Sequence, residues 1–305
     1  MDIGINGSGL LAQPNLDEIV DDIVASDDAG FSTYWLAQTG LMDALTTLAL
    51  AGRDTTLIEL GTAVVPTWPR HPQALAAQAL TAQAATGGRI VLGIGLAHQP
   101  TVEGRWRMRW ERPIRQILDY LNVLEPLLAE GSASYEGDMW SFVGEAARPT
   151  STPPQIMLAA LGDRMLEIAG SRTAGTILWC VGPRTLETQI VPKINDAAAK
   201  ADRAQPRVVC SLPVAVTDNP QPTRQFVGAM LKDYASLPSY RAMLDIEGVH
   251  GVEEISLIGS EDHVREGLAR IAESGATDFT AVVVASDPDE RARTMAVLGQ
   301  VQANR

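Results

Sequence analysis

Two kinds of apolar patterning alternate along the chain. Short runs with little polar interruption read as strands covered on both faces: "DIGI" at the start, "STYWL" at 32–36, "TLIELGTAVV", "RIVLGIGL", "QIMLAA", "GTILWC", "RVVCSLPVAV" and "DFTAVVVA". Between them the apolar residues fall at helical spacing. From about Asn15, the residues Leu16, Ile19, Val20, Ile23 and Val24 share one face, with acidic residues opposite, and Gly30 stops the helix. "MDALTTLALAG" closes at Gly52, and the Ala- and Gln-rich stretch from His71 to Ala85 ends at Gly87-Gly88. Pro113 to about Ala129 carries Ile114, Ile117, Leu118, Leu121 and Leu124 on one face. "DRMLEIAG", "PRTLETQIVPKINDAAAK", helical material to about Ile246, a helix over 261–274 that "EISLIG" leads into, and a last helix from about Pro288 complete the set. Two stretches interrupt the rhythm, a loop over 97–112 and an extended "SYEGDMWSFVG" that suggests a small hairpin.

Eight strands in strict βα order, with no linker or break in composition, predict an α/β protein. The architecture is a single (β/α)8 TIM barrel with insertions, one domain over residues 1–305. An open doubly wound sheet is the alternative.

Composition narrows the function. Apolar residues make up 46% of the chain, enough for a full core. The net charge of −13 and pI near 4.7 oppose encounter with nucleic acid or an anionic membrane. Cys180 and Cys210 both sit in apolar runs and read as buried thiols, without a disulfide framework or a metal ligand set. "MDIGINGSGLLAQP" has no basic region, and no segment reaches the roughly 18 apolar residues of a membrane span, so a cytoplasmic protein is expected.

Candidate chemistry lies where strands end. "GSGLLA" at Gly7–Ala12 matches a dinucleotide-binding turn, but Pro14 delays the helix such a turn requires, and strand two ends in Leu36-Ala37-Gln38 without an acidic residue. "LGIGLAHQP" puts Gly93 and Gly95 at the carboxyl end of a strand, where glycines let a flat ligand approach the backbone. His98, one of four histidines, follows as a proton donor or hydrogen-bond partner, or as a surface loop residue. "AALGDRMLEIAG" places Gly162 at a turn into a helix whose free N–H groups suit a phosphate; Asp163 caps that helix in the ordinary alternative. "WCVGPRTL" has the same shape. "GRWRMRWER" sets Arg105, Arg107, Arg109 and Arg112 beside Trp106 and Trp110, either as a cradle for an anionic tail or as a solvated loop with its tryptophans turned inward. No metal-binding or hydrolase motif is present.

Strand three running into "TAVVPTWPRHP", strand four as "RIVLGIGL", then "AALGDRML" and the closing "ESGATDFTAVVVASDPDE" resemble the luciferase-like monooxygenase superfamily. The likeness is closest to its deazaflavin branch, the oxidoreductases that use coenzyme F-420. It covers nearly the whole chain in order. The resemblance implies a barrel enzyme, usually a homodimer, with a small-molecule substrate and a tricyclic cofactor over the carboxyl ends of the strands. It implies a bulge at the end of strand three, with a cis peptide at Ala63-Val64 and Val65 and Pro66 following, as the wall behind the ring. The ring's polar edge would meet Gln38 and the stretch Gly95, Leu96, Ala97 and His98; its phosphate would meet Ala160, Leu161 and Gly162, with Cys180 to Gly182 nearby. The chain departs from relatives in carrying Ala37-Gln38 where they often have an acid or a histidine, which leaves His98 as the candidate catalytic residue. The implied activity is hydride transfer between the deazaflavin and an organic substrate. An FMN-dependent monooxygenase and a non-catalytic flavin-binding barrel are the alternatives.

Overall fold

The strands, in a computed structural model that describes residues 1–304, are β1 (Asp2–Asn6), β2 (Thr33–Leu36), β3 (Glu59–Thr62), β4 (Val65–Pro66), β5 (Ile90–Gly95), β6 (Ser132–Glu136), β7 (Ser141–Glu145), β8 (Gln155–Leu158), β9 (Gly175–Trp179), β10 (Arg207–Val216), β11 (Leu257–Gly259) and β12 (Asp278–Val283). Eight of them pair in parallel in the order β10, β12, β1, β2, β3, β5, β8, β9, and β9 pairs with β10 to close the ring. These eight are the apolar runs of the sequence, and the open-sheet alternative falls. "EISLIG" supplies one further short strand, β11, which extends the far end of β10 through Val214 opposite Leu257.

The helices are α1 (Leu16–Asp28), α2 (Ala44–Ala51), α3 (Pro72–Ala85), α4 (Pro113–Glu130), α5 (Asp163–Arg172), α6 (Pro183–Thr185), α7 (Val191–Lys200), α8 (Pro220–Met230), α9 (Lys232–Ser236), α10 (Pro238–Glu247), α11 (Glu261–Glu273) and α12 (Pro288–Ala303). Their starts follow from local chemistry. The Asn15 carboxamide accepts the N–H groups of Asp17 and Glu18 ahead of α1, and His71 Nδ1 accepts the Gln73 N–H ahead of Pro72 in α3. The expected hairpin is β6 with β7, antiparallel and linked to α4 by the turn at Gly131.

Strand three breaks where the resemblance implies: β3 ends at Thr62, the Ala63-Val64 peptide is cis, and β4 resumes alongside β5 with Pro66 opposite Gly95. Two local expectations change. Upstream, Thr56, Leu57 and Ile58 give their N–H groups to the Asp27 carboxylate instead of to a neighbouring strand. The 97–112 stretch is not all loop, since Pro100–Arg105 winds into a wide helical turn between positive-φ residues Ala97 and Arg107. "GSGLLA" forms a tight 3-10 turn, and α1 starts only after Asn15, so no helix N-terminus faces the strand end as a dinucleotide site needs.

Two apolar layers hold the barrel. The larger lies between strands and helices; the smaller fills the barrel itself with Trp35, Val91, Met157, Ile177 and Val209. Trp35 is wholly buried and occupies the middle, its indole N–H donating to Thr33 Oγ1 at 2.9 Å. Gly61 is required beside it, because a Cβ there would stand 2.2 Å from the indole ring. Below Trp35, the amino end is closed by charge. Arg207, first residue of β10, reaches Glu59 at the start of β3 (2.8 Å) and Asp278 at the start of β12 (2.6 Å). Since β10 and β3 stand opposite one another in the ring, the guanidinium spans the floor. Burial alone would lower the Arg207 pKa, but the Asp278 hydrogen bond and both carboxylates hold it above the usual value, so the guanidinium stays charged.

Candidate active site at the carboxyl end of the barrel

Above Trp35 the barrel narrows to small side chains on four neighbouring strands. These are Ala37 after β2, Ala63 after β3, Gly93 and Gly95 in β5, and Ala159 after β8. On the other side Asn6 Nδ2 donates to Ser211 Oγ (3.1 Å), which donates to the Thr280 carbonyl (3.0 Å). The result is a shallow mouth with a polar back edge.

The two glycines have a different use from the one their position suggests. A Cβ on Gly93 would lie 1.8 Å from the Thr62 carbonyl oxygen, and one on Gly95 would lie 2.8 Å from Val64 Cγ2. The space they leave is filled by strand three, not left to a ligand. Gly93 lets β3 close in, with Thr62 Oγ1 donating to the Gly93 carbonyl at 2.7 Å. Gly95 seats the half-buried Val64, which forms the wall of the mouth. Val65 is buried outward, in the layer beneath the helices.

Gln38 sits at the rim with its side chain already engaged. Its Oε1 accepts from the Ala44 N–H (2.8 Å) and Arg70 Nη2 (3.2 Å), and its Nε2 donates to the Met42 carbonyl (3.0 Å). Arg70 in turn pairs with Asp43 at 2.5 Å. The Arg70-His71-Pro72 triplet thus ties the β2–α2 loop to α3.

Across the mouth, His98 stands after β5 with Leu96 and Ala97, all half-buried. Its ring meets two tyrosines edge-on, Tyr234 of α9 at 5.8 Å and Tyr240 of α10 at 5.6 Å between centroids. The tyrosines meet each other at 5.1 Å. Burial lowers the His98 pKa below the ordinary imidazole value, so at pH 7 it is neutral and accepts protons better than it donates them. Burial, and then Cys180, pushes Tyr234 and Tyr240 up. Cys180 itself is held as a thiol, mainly by burial. The tyrosines come from the long connection between β10 and β11, and sequence reasoning missed them. The usable signal was its length, since long βα connections at this end of a barrel carry function.

The two glycine turns after β8 and β9 differ. Ala160 is buried and Leu161 half-buried, and Gly162 opens α5 with no side chain capping the helix and no atom within 4 Å of where its Cβ would stand. Asp163, in the first turn, accepts its own backbone N–H and turns to Lys193 and Gln189 of the neighbouring segment. At Gly182 the space is taken: the Glu247 carboxylate lies 2.6 Å from a Cβ built there and accepts the Thr185 N–H at 2.5 Å. The structure therefore gathers Ala63, Val64, Pro66, Gly95–His98 and Ala160–Gly162 around one mouth; it turns Val65 away and fills the turn beside Cys180 and Gly182 from within. Arg105, Arg107 and Arg109 are exposed on the loop beyond His98, while Trp110 tucks against Trp68 with ring centroids 5.5 Å apart.

The sequence model of the luciferase-like monooxygenases matches residues 3–278, and the chain belongs to that family of enzymes. It is 25% identical over 296 residues to a Mycobacterium tuberculosis protein named as a coenzyme F-420-dependent oxidoreductase, covering 92% of this chain and 83% of that one. The 5,10-methylenetetrahydromethanopterin reductase of Methanolobus tindarius is 27% identical over 179 residues, 58% of this chain and 54% of the reductase. Among solved structures, an FMN-bound type II Baeyer-Villiger monooxygenase from Pseudomonas putida superimposes with a TM-score of 0.81 at 16% identity, over 100% of this chain and 98% of that one. The tetrahydromethanopterin reductase of Methanopyrus kandleri gives 0.76 at 20% identity, over 98% and 97%. Those structural likenesses bear on the fold. Among the described residues no helix is long and apolar enough to cross a membrane.

Proposed function

We propose that the chain, working as one domain, is an oxidoreductase that binds the deazaflavin coenzyme F-420 over the carboxyl mouth of its barrel and exchanges a hydride with a small organic substrate. The observation that carries the reading is the open start of α5 at Gly162, on the same mouth as the Val64 wall. Uncapped N–H groups at a helix start favour a phosphate, and an apolar wall over small residues accommodates a flat ring, so the residues fit a phosphorylated tricycle. When bound, that group supplies the hydride chemistry.

The protein's part is to position and to exclude water. Val64 and Ala63 back the ring. Gly162 and Leu161 offer backbone to the phosphate. Gln38 shapes the rim through its fixed loop. Neutral His98, held edge-on by Tyr234 and Tyr240, is placed to accept a hydrogen bond or a proton from substrate. The relatives named for the deazaflavin coenzyme support this choice over FMN, as does the exposed arginine loop, since the coenzyme tail carries several glutamates.

Titration with both cofactors, followed by tryptophan quenching, tests the proposal. Tighter binding of the deazaflavin is expected. Replacing Arg105, Arg107 and Arg109 together should weaken the poly-glutamyl form, with about 0–1 kcal/mol from each exposed pair, and the loss should shrink with added salt. Equal affinity for long- and short-tailed forms before and after would remove the tail contact. Tighter FMN binding would turn the assignment to the monooxygenase.

A further inference from the structure

Outside the barrel mouth, where the chain leaves β4, four buried hydrogen-bond donors lie together without acceptors. They are Trp68 Nε1, Gln116 Nε2, the Tyr120 hydroxyl and Trp140 Nε1. Gln116 and Tyr120 are completely buried and one turn apart on α4, and Trp68 is 5% exposed. Side-chain contacts join the elements that carry them. Thr67 Oγ1 donates to Gln116 Oε1 at 3.2 Å, which commits that amide's oxygen and leaves its NH2 free. The Tyr120 and Trp140 rings meet edge-on at 5.5 Å, and Trp140 meets His71 at 5.4 Å. The nearest carboxylates are committed elsewhere. Asp119 accepts from Tyr135 (2.6 Å) and the Met139 N–H (2.8 Å) and is ion-paired with Arg115 (2.9 Å), and Asp43 is paired with Arg70.

A single orphaned donor is unremarkable, but four in one patch are not, because each buried donor without a partner costs on the order of 1–3 kcal/mol. Indole N–H groups can only donate. The patch therefore selects an oxygen acceptor, and the aromatic faces of Trp68, Tyr120 and Trp140 select an apolar body to carry it. We infer that this patch, between the β4 exit, α4 and the β6–β7 hairpin, is a second binding site, for an aromatic or apolar organic molecule presenting a carbonyl or carboxylate oxygen. The site is independent of the cofactor reading above, since it uses none of the mouth residues.

Sodium benzoate and acetophenone are suitable probes, charged and neutral carriers of the same acceptor. Protein labelled with 15N-tryptophan gives six indole N–H signals, one per tryptophan. The signals of Trp68 and Trp140, assigned through Trp68→Phe and Trp140→Phe, should move saturably with at least one probe. Gln116→Leu and Tyr120→Phe should each weaken that response about tenfold, the share expected of one hydrogen bond to a good acceptor. Thermal melts with and without saturating probe check that both variants are folded, and they should show the probe's stabilisation in the unaltered protein and its loss in the variants. Benzoate alone responding identifies a carboxylate ligand, and acetophenone responding identifies a neutral carbonyl. No movement with either probe would mean that solvent alone satisfies the donors, and would overturn the inference. So would a response that Trp179→Phe, at the carboxyl end of β9, abolishes while Gln116→Leu and Tyr120→Phe keep it.

Discussion

Two turns written almost alike, Leu161-Gly162-Asp163-Arg164 after β8 and Val181-Gly182-Pro183-Arg184 after β9, finish with opposite contents. The first begins a ten-residue helix and is empty around its glycine. The second is filled by Glu247, the last residue of α10, whose carboxylate already takes the Thr185 N–H. A βα turn thus becomes a possible anion site only when no remote segment of the chain supplies its own anion. Gly162 also sits at φ −84° and ψ 157°, extended backbone open to any residue, so the absence of a side chain there is not demanded by conformation. A capping Asp would serve α5 better.

The contrast can be broken most severely at Gly162. Gly162→Asp should lower cofactor affinity about a hundredfold or more, since a carboxylate replaces the phosphate on the same N–H groups, while raising folding stability by a few tenths of a kcal/mol as a better cap. Calorimetric titration beside a thermal melt reads both; unchanged affinity would remove the phosphate from this turn. Glu247→Ala should do the converse, costing about 1–3 kcal/mol of stability by orphaning the Thr185 N–H, with cofactor affinity unaltered in the same two measurements. Alanine at each glycine sharpens the point. Gly182→Ala crowds the Glu247 carboxylate and should cost about 1 kcal/mol in urea unfolding, because a long side chain can partly yield; Gly162→Ala should stay within about 0.5 kcal/mol.

The smallest effect belongs to His98, across the mouth from both turns. Its pKa is depressed below 6.5 by burial, so its contribution to stability is fully present above about pH 6.5. That contribution is lost as the pH falls from 6.5 through the depressed folded value, because the unfolded chain takes up the proton first. Unfolding free energies of the unaltered protein and His98→Gln, compared from pH 8 to pH 5, should run parallel above about pH 6.5 and diverge below it, with the histidine protein losing more. Parallel curves throughout would mean that His98 is solvated.

The barrel was legible because every strand that forms it is apolar on both faces, a pattern that survives without knowledge of partners. The start of α3 at His71-Pro72 and the break near Pro66 were legible for the same local reason. What escaped was everything assembled from distant segments. Glu247 closes a turn more than sixty residues upstream of it. Tyr234 and Tyr240 reach His98 from the far side of the ring. The glycines of β5 looked like room for a ligand, and only the structure shows Thr62 and Val64 occupying that room. Arg207, Glu59 and Asp278 gave no sign in sequence that they meet, since each is simply a charge at the head of a strand.

That last trio has a kinetic meaning. A barrel filled by Trp35 and its neighbours and closed by charge beneath them leaves a ligand only the carboxyl end to enter by. On the proposed reading, a coenzyme seated against Val64 lies beneath whatever arrives after it, so traffic is last in, first out. The organic substrate must board second and its product must leave first, and an excess of substrate arriving early would bar the doorway to the coenzyme.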